Sequence, residues 1–186
     1  MRKESSQKII FGLLCLEGAV VSFNLAAIAA VVPAIALDLG RDKFELARII
    51  SYYMVPYGLA ALIYAPLVKR YSVKSIKLVS LFIFALASII SGLSTTVPLL
   101  FASRIAAGIA ASAITPIALI LIGELMQKEI RGRMIGAFFS SAFFASLIGV
   151  LLSGILPWRQ LFILPALFAI INLILVMFFF NFQSKK

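Results

Sequence analysis

The segment VPLLFASRIAAGIAASAITPIALILIG, residues 97–123, contains a single charged side chain, Arg104. The hydrocarbon core of a bilayer is about 30 Å thick and an α-helix rises about 1.5 Å per residue, so roughly 20 mainly apolar residues can cross it. This segment is long enough and apolar enough to do so. It therefore predicts a transmembrane helix.

Five further apolar stretches of similar length lie on either side of this segment. They cover about residues 9–37, 49–68, 76–93, 134–156 and 161–182, and short polar segments separate them. The chain is 63% hydrophobic and 13% charged, whereas ordinary soluble domains are about 45–50% apolar. We therefore predict an all-α, polytopic integral membrane protein whose six transmembrane helices form one domain over residues 1–186. The first stretch is interpreted as a retained helix, not a cleaved signal peptide.

The positions of lysine and arginine predict the orientation of the chain. Short basic loops remain on the cytoplasmic side of a membrane. Apart from Arg104, only Arg41, Lys43, Arg48 and Arg159 fall on the side opposite the N-terminus. Both termini are therefore predicted to be cytoplasmic, in a plasma membrane or a bacterial-type inner membrane. The net charge of +10 is expected to face anionic lipid headgroups and not nucleic acid.

Several absences narrow the chemistry. The chain has no histidine, which excludes a Ser–His intramembrane protease and a histidine-based metal site. Its single cysteine, Cys15, cannot form an intrachain disulfide. No Gly-rich phosphate-binding loop occurs. We therefore predict neither an enzyme nor a cofactor or metal site.

Charged residues within the predicted spans are the first candidates for function. Insertion of a charge near the bilayer centre costs about 2.5–3.5 kcal/mol, so such groups usually face the bundle interior or a wet cavity. Glu17 lies in the first predicted helix, with Asn24 on the same face, and Arg104 lies in the fourth. If these helices are neighbours, Glu17 and Arg104 would form a proton or substrate site. Three alternatives stay open: Arg104 snorkels to the outer headgroups, Glu17 is a protonated packing residue, and Asn24 is an interhelical contact.

Helix composition predicts which helices face a cavity. The second and fifth helices are rich in small, polar and aromatic residues, and Tyr53 and Tyr57 are candidates for stacking on a substrate. Tight helix packing is the alternative for their glycines and serines. The third and sixth helices are almost purely apolar, and Phe82 and Phe84 in the third are expected to face lipid.

Several motifs together carry a resemblance to a known family. The sequence LFASRIAAGIAAS, residues 100–112, resembles the fourth-helix signature of the major facilitator superfamily, in which an arginine precedes a glycine and small residues. Gly108 and Ser112 are its helix-packing positions here. GELMQKEIRGR, residues 123–133, is similar to the family's loop between helices four and five. Asn24 stands nine residues before Pro33, where drug exporters carry an acid or a polar residue.

The loop after the second helix departs from the family pattern. Residues 65–74 read APLVKRYSVK, where the family usually has Gly-x-Leu-Ala-Asp-Arg-x-Gly-Arg-Lys. Lys69 replaces the usual acid and both glycines are missing. A substitute cytoplasmic gate would pair Lys69 or Arg70 with Glu124 or Glu129. Arg131, in the loop that resembles the family's, is assigned to the same gate.

The resemblance implies a fold and a function. Members have two six-helix halves, each built from a 3+3 helix repeat, and hold substrate between the halves. This chain resembles the N-terminal half of a drug or metabolite exporter. Three interpretations follow: a parallel homodimer that moves small organic solutes by alternating access, with Glu17 as a protonation switch in proton antiport; one half of a split or truncated transporter; and a non-transporting scaffold or assembly protein.

Overall fold

Residues 2–179 fold into seven helical segments. A computed structural model describes residues 2–179, with the side chains of residues 2–6, 65 and 179 left out of the description. The segments are α1 (Arg2–Asp38), α2 (Lys43–Arg70), α3 (Val73–Leu93), α4 (Val97–Ala111), α5 (Ile114–Leu125), α6 (Lys128–Ser153) and α7 (Trp158–Phe179). No strand occurs within the described range. The all-α prediction is confirmed.

Helices α4 and α5 together form one membrane span that is interrupted at Ser112 and Ala113. Pro116 follows the interruption and has no N–H to bond the carbonyl of Ser112, four residues earlier, although Pro33, Pro56, Pro66 and Pro165 lie inside continuous helices. With Val97–Leu125 taken as one span, the part of the chain that the structure describes has six spans that are long and apolar enough to cross a membrane. The six-helix prediction is confirmed, and its last residues, 180–182, lie outside the described range.

Helices α2 and α6 are among those that begin earlier than hydropathy alone predicts. Helix α2 starts at Lys43, because the side chain of Asp42 accepts hydrogen bonds from the backbone N–H groups of Phe44 and Glu45. Helix α6 starts at Lys128. In both cases a charged first turn extends beyond the apolar segment. Helical structure therefore continues past the hydrocarbon limits that the sequence marks.

The helices differ widely in how much of them is buried. Helix α1 packs against α2, α6 and α7, while α3 packs against α4 and α7, and α2 against α4. Only 11% of the most apolar part of α6 and 22% of that of α2 is buried, compared with 61% for the span Val97–Leu125. Helices α2 and α6 are thus the least covered elements of the bundle.

Helix α3 has a buried face as well as a lipid-facing one. Phe82 is exposed on the outer surface, as predicted, but Phe84 is only 1% exposed and lies in the core. Residues two apart in an α-helix point about 200° apart, so both could not share the lipid face. The prediction for Phe84 is therefore wrong.

Arg159 joins three helix ends on one side of the bundle. Its Nη1 donates to the carbonyl oxygens of Gly92 (3.1 Å) and Ser94 (2.8 Å), and its Nη2 donates to the carboxylate of Asp38 (2.8 Å). A cation is favourable at the C-terminus of α3, where unpaired carbonyls carry partial negative charge. Arg159 thereby fixes the ends of α1 and α3 against the start of α7.

Candidate functional site

An open groove runs along α1 between α2 and α6. Helix α1 contributes small side chains to it, and the partly exposed Met54 of α2 and Ser146 of α6 form its sides. Its lining consists of Ser22, Leu25, Ala26, Ala29, Ile50, Met54 and Ser146. The Ser146 hydroxyl lies 3.1 Å from the carbonyl oxygen of Ala142 and 3.3 Å from that of Ser22. The surface of the groove is mainly apolar, and Ser22 and Ser146 are the hydroxyl-bearing residues among its lining.

A smaller cavity lies between α1, α2, α5 and α6. Gly18, Tyr57, Thr115 and Phe138 are among its lining residues. The hydroxyls of Tyr57 and Thr115 are 3.3 Å apart. A Cβ on Gly18 would come within 2.8 Å of the Phe138 ring, so a larger residue here would require the ring to shift. Tyr57 therefore presents an aromatic ring and a hydroxyl to this cavity.

Tyr53 lies behind the groove wall. It is 1% exposed, and its ring is stacked on that of Tyr57 at a centroid distance of 6.0 Å. The guanidinium carbon of Arg104 lies 4.4 Å from the Tyr53 ring centroid, a cation–π contact. Tyr53 lines neither cavity, because its ring is enclosed by its neighbours. The expected stacking on a substrate does not fit this placement.

Arg104 is enclosed at the centre of the fold. It is 1% exposed, and its Nη2 donates a 2.9 Å hydrogen bond to Oδ1 of Asn24. The Phe162 ring centroid lies 5.3 Å from its guanidinium carbon. A side chain held in this way does not reach the headgroups. The snorkelling alternative for Arg104 is excluded in this conformation.

The expected neighbours Glu17 and Arg104 do not pair. Glu17 instead accepts a hydrogen bond from Lys77 of α3 in a buried ion pair. Asn24 and Glu17 are separated by seven residues, about 10 Å along α1. Arg104 bonds Asn24 and does not contact Glu17. The sequence predicts a single site, whereas the structure has two clusters, Glu17 with Lys77 and Arg104 with Asn24.

Lys77 is the functional candidate that the sequence reading missed. It lies one residue inside the predicted span 76–93, and the distribution of basic residues in the sequence predicts that it is one of the cytoplasmic flanking charges. The structure places it on a buried polar face of α3, together with Ser80, Ser88 and Ser91. These positions recur at helical spacing. That pattern was the available signal that Lys77 points inward.

The predicted cytoplasmic gate is not formed in this conformation. Lys69, Arg70, Glu124 and Glu129 are exposed, and in the described part of the chain no ion pair joins them. Nε of Arg131 donates to the carbonyl oxygen of Met126 (2.9 Å), which links the end of α5 to α6. Exposed long side chains lose conformational entropy on pairing and gain little from it in water. A gating role for these residues remains a prediction.

Gly108 marks the closest approach of α2 and α4. A Cβ placed on it would lie 2.3 Å from the carbonyl oxygen of Tyr53, so only glycine fits. Ser112 is fully buried and its hydroxyl donates to the carbonyl oxygen of Ile109 (2.6 Å) within its own segment. The close approach at Gly108 places Tyr53 directly beside α4, the helix that carries Arg104.

Comparison with known families and proteins gives a consistent result. The family model of the Major Facilitator Superfamily matches residues 14–186. Multidrug resistance protein 3 of Bacillus subtilis (strain 168) is 32% identical over 157 residues, which cover 83% of this chain and 30% of that protein. The 4-hydroxybenzoate transporter PcaK of Pseudomonas aeruginosa is 26% identical over 174 residues, which cover 91% of this chain and 38% of that protein.

Solved structures share the fold. The crystal structure of a D-xylose-proton symporter matches with a TM-score of 0.79 and 15% sequence identity, and the match covers 95% of this chain and 48% of that one. The chain thus spans about half the length of the symporter. It spans roughly a third of the length of the curated relatives.

Proposed function

Since the chain belongs to the major facilitator superfamily, we propose that it supplies one six-helix half of a secondary transporter that moves small organic solutes across a membrane by alternating access. The open groove carries this proposal. It has small and hydroxyl-bearing side chains at mid-helix, and the helices on its two sides, α2 and α6, are the least buried of the described bundle. A second six-helix unit docked over α2 and α6 would complete the cavity.

The second unit is proposed to be another copy of the chain in the same orientation. In two-half transporters of this fold, the halves are related by an axis along the membrane normal. An exact twofold axis in a parallel homodimer would have the same direction. Ser140, exposed near the middle of α6, fits a surface that faces water or a partner better than one that faces lipid. Both termini are proposed to be cytoplasmic, because most of the lysines and arginines lie on their side of the membrane.

The solute class is proposed from the relatives. One similar protein is named for multidrug resistance and another for 4-hydroxybenzoate transport, which favours an organic solute with an aromatic or amphipathic part. Tyr57 and Met54 offer an aromatic and a polarizable surface for such a solute. Efflux in exchange for protons is the proposed direction.

Thiol labelling tests whether the groove is wet. In a Cys15→Ser background, Met54→Cys is expected to react with a membrane-impermeant, water-soluble thiol reagent in proteoliposomes, because the cavity that a second half completes opens to bulk water during alternating access. Leu86→Cys is the matched control, since Leu86 is similarly exposed (48% against 41%) and lies midway along α3. A thiol surrounded by lipid should remain unmodified, because the reactive thiolate does not form in hydrocarbon.

If Met54→Cys and Leu86→Cys are labelled equally, or if neither is labelled, the result would contradict a water-filled cavity at the groove. In that case the groove faces lipid, and a non-transporting scaffold becomes the better interpretation.

Glu17 is proposed as the protonation switch. Protonation of its carboxyl group would remove the attraction that holds Lys77, and so loosen α3 from α1. Among the described residues Lys77 is the charged group facing Glu17. At the neighbouring turn, α7 brings only the neutral Asn172, whose Nδ2 donates to the carbonyl oxygen of Leu13 at 3.1 Å.

Removal of the switch should uncouple transport from the proton gradient. The double variant Glu17→Gln/Lys77→Met removes the acid without leaving a buried charge unpaired. We expect its transport of a solute found by screening to proceed at the same rate with and without an imposed pH gradient. Lys77→Arg, which preserves the ion pair, should keep the gradient dependence. If the double variant still responds to the gradient as the wild type does, Glu17 is not the coupling group.

A further inference from the structure

Among the described residues, no acidic side chain pairs with the positive charge of Arg104. Its side chain is 1% exposed, and its hydrogen-bond partner is the neutral amide oxygen of Asn24. The rings of Tyr53 and Phe162 cover the guanidinium at 4.4 and 5.3 Å. The acid nearest to Asn24 along α1 is Glu17, about two turns away, and it is paired with Lys77. A buried cation with only neutral neighbours is electrostatically costly, and an anion would relieve that cost.

Hydrogen-bond donors are also in excess around Arg104. Its Nε and Nη1, the Nδ2 of Asn24 and the hydroxyl of Tyr53 are buried and have no hydrogen-bond partner among the described residues. Three of these atoms can only donate. Because Arg104 Nη2 bonds the Asn24 amide directly, the unpaired donors of α1 and α4 lie within one side-chain length of each other. The cluster therefore lacks a negatively charged hydrogen-bond acceptor.

The cluster lies next to the groove. Leu25 and Met54 line the groove, and they are the chain neighbours of Asn24 and Tyr53. Adjacent residues of an α-helix point about 100° apart, so the cluster and the groove lie on neighbouring faces of α1 and α2.

We propose that Arg104 and Asn24, backed by Tyr53, form a binding site for a small monovalent anion. Two sources have this chemistry: the carboxylate of a transported organic acid and a free halide ion. Either would accept charge-assisted hydrogen bonds from the guanidinium and the amide. The first source rests on the proposed transport function, whereas the second needs only the fold.

Thermal unfolding of the purified full-length chain in detergent tests the site without a transport assay. Sodium chloride and sodium benzoate are each titrated at constant ionic strength against a bulky methanesulfonate background, with benzamide as the uncharged match for benzoate. A ligand that binds the folded state raises the unfolding temperature saturably. We expect chloride, benzoate or both to do so, and benzamide to have no effect.

Asn24→Asp is the discriminating variant. It keeps the size of the side chain and supplies an internal carboxylate to Arg104, so it should fold and weaken the apparent affinity for the added anion by about tenfold or more. Arg104→Gln removes the charge and should abolish the shift. Ser88→Ala, which deletes another buried hydroxyl without a partner, should keep it.

The outcomes separate the alternatives. A shift with chloride alone identifies a halide site, a shift with benzoate alone identifies a site for the carboxylate of the solute, and shifts with both support the shared anion chemistry. No saturable shift in the wild type, or an unchanged shift in Asn24→Asp, would overturn the proposal. Neither of these results would affect the proposed transporter cavity, which the thiol-labelling experiment tests separately.

Discussion

Replacing Gly108 by Ala is expected to cause a large loss of stability for the addition of one methyl group. The new Cβ would lie 2.3 Å from the carbonyl oxygen of Tyr53 and 3.1 Å from its carbonyl carbon. Both are backbone atoms, so α2 would have to move away from α4 as a unit. Overpacking of this kind costs about 1–3 kcal/mol and occasionally more, and we expect the upper part of that range. Thermal unfolding in detergent, followed by circular dichroism, measures the loss.

Gly136→Ala is the matched control for this variant. Gly136 lies inside α6, and no heavy atom would come within 4 Å of its new Cβ. Alanine is favoured over glycine in a helix by about 0.5–1 kcal/mol, so the control should be neutral or stabilising. Equal stability of the two variants would show that α2 and α4 do not touch at Gly108.

Replacing one member of the Glu17–Lys77 ion pair is expected to lower the stability of the protein as much as Gly108→Ala does. Lys77→Met leaves the carboxylate of Glu17 buried without its cation, and removal of one partner of a buried pair typically costs about 3–5 kcal/mol. Both side chains are nearly inaccessible, at 1% and 3%, so solvent cannot compensate. The free energy of unfolding of Lys77→Met and Glu17→Gln should fall by amounts in this range.

The double variant Glu17→Gln/Lys77→Met distinguishes an ion pair from two independent packing residues. It leaves no unpaired charge, so most of the loss in each single variant should be recovered. The double-mutant cycle should therefore give a coupling free energy of at least about 1 kcal/mol. Additive single losses, with no recovery in the double variant, would mean that the two residues do not act as a pair.

The six spans could be predicted because the membrane imposes a length and an apolar composition on each of them. The interruption before Pro116 was not predicted, because prolines such as Pro33, Pro56 and Pro165 lie inside continuous helices and the sequence does not distinguish them from Pro116. Boundaries were less certain, because helices such as α2 continue into the polar region under the control of a capping residue, Asp42.

The pairing of charged side chains could not be predicted in the same way. Hydropathy shows that a residue is inside the membrane, but it does not show which helix that residue faces. Lys77 was assigned to the membrane surface, and Glu17 to Arg104, whereas the structure pairs Lys77 with Glu17 and Arg104 with Asn24. Both pairings depend on the azimuth of α3 and α4, that is, on how far each helix is rotated about its own axis relative to α1. Azimuth is set by packing contacts such as that between Gly108 and Tyr53.

The two clusters give α1 two distinct proposed roles. Toward the N-terminus, Glu17 holds α3 through Lys77, and farther along Asn24 holds α4 through Arg104. The groove lies on another side of the same helix. Movement of α1 would therefore change the shape of the groove and the contacts of both clusters. The proposed alternating access requires movement of this kind.

Counting the subunits in a lipid bilayer tests the central claim most directly. Single-molecule photobleaching of sparsely labelled protein would be combined with cross-linking of Val55→Cys in one copy to Phe143→Cys in another, in a Cys15→Ser background. These two residues are exposed on α2 and α6 at similar depths. We predict two copies per assembly and a cross-link between copies. A persistent monomer without the cross-link would contradict a self-assembled transporter, and would leave the groove to a different partner chain or to lipid.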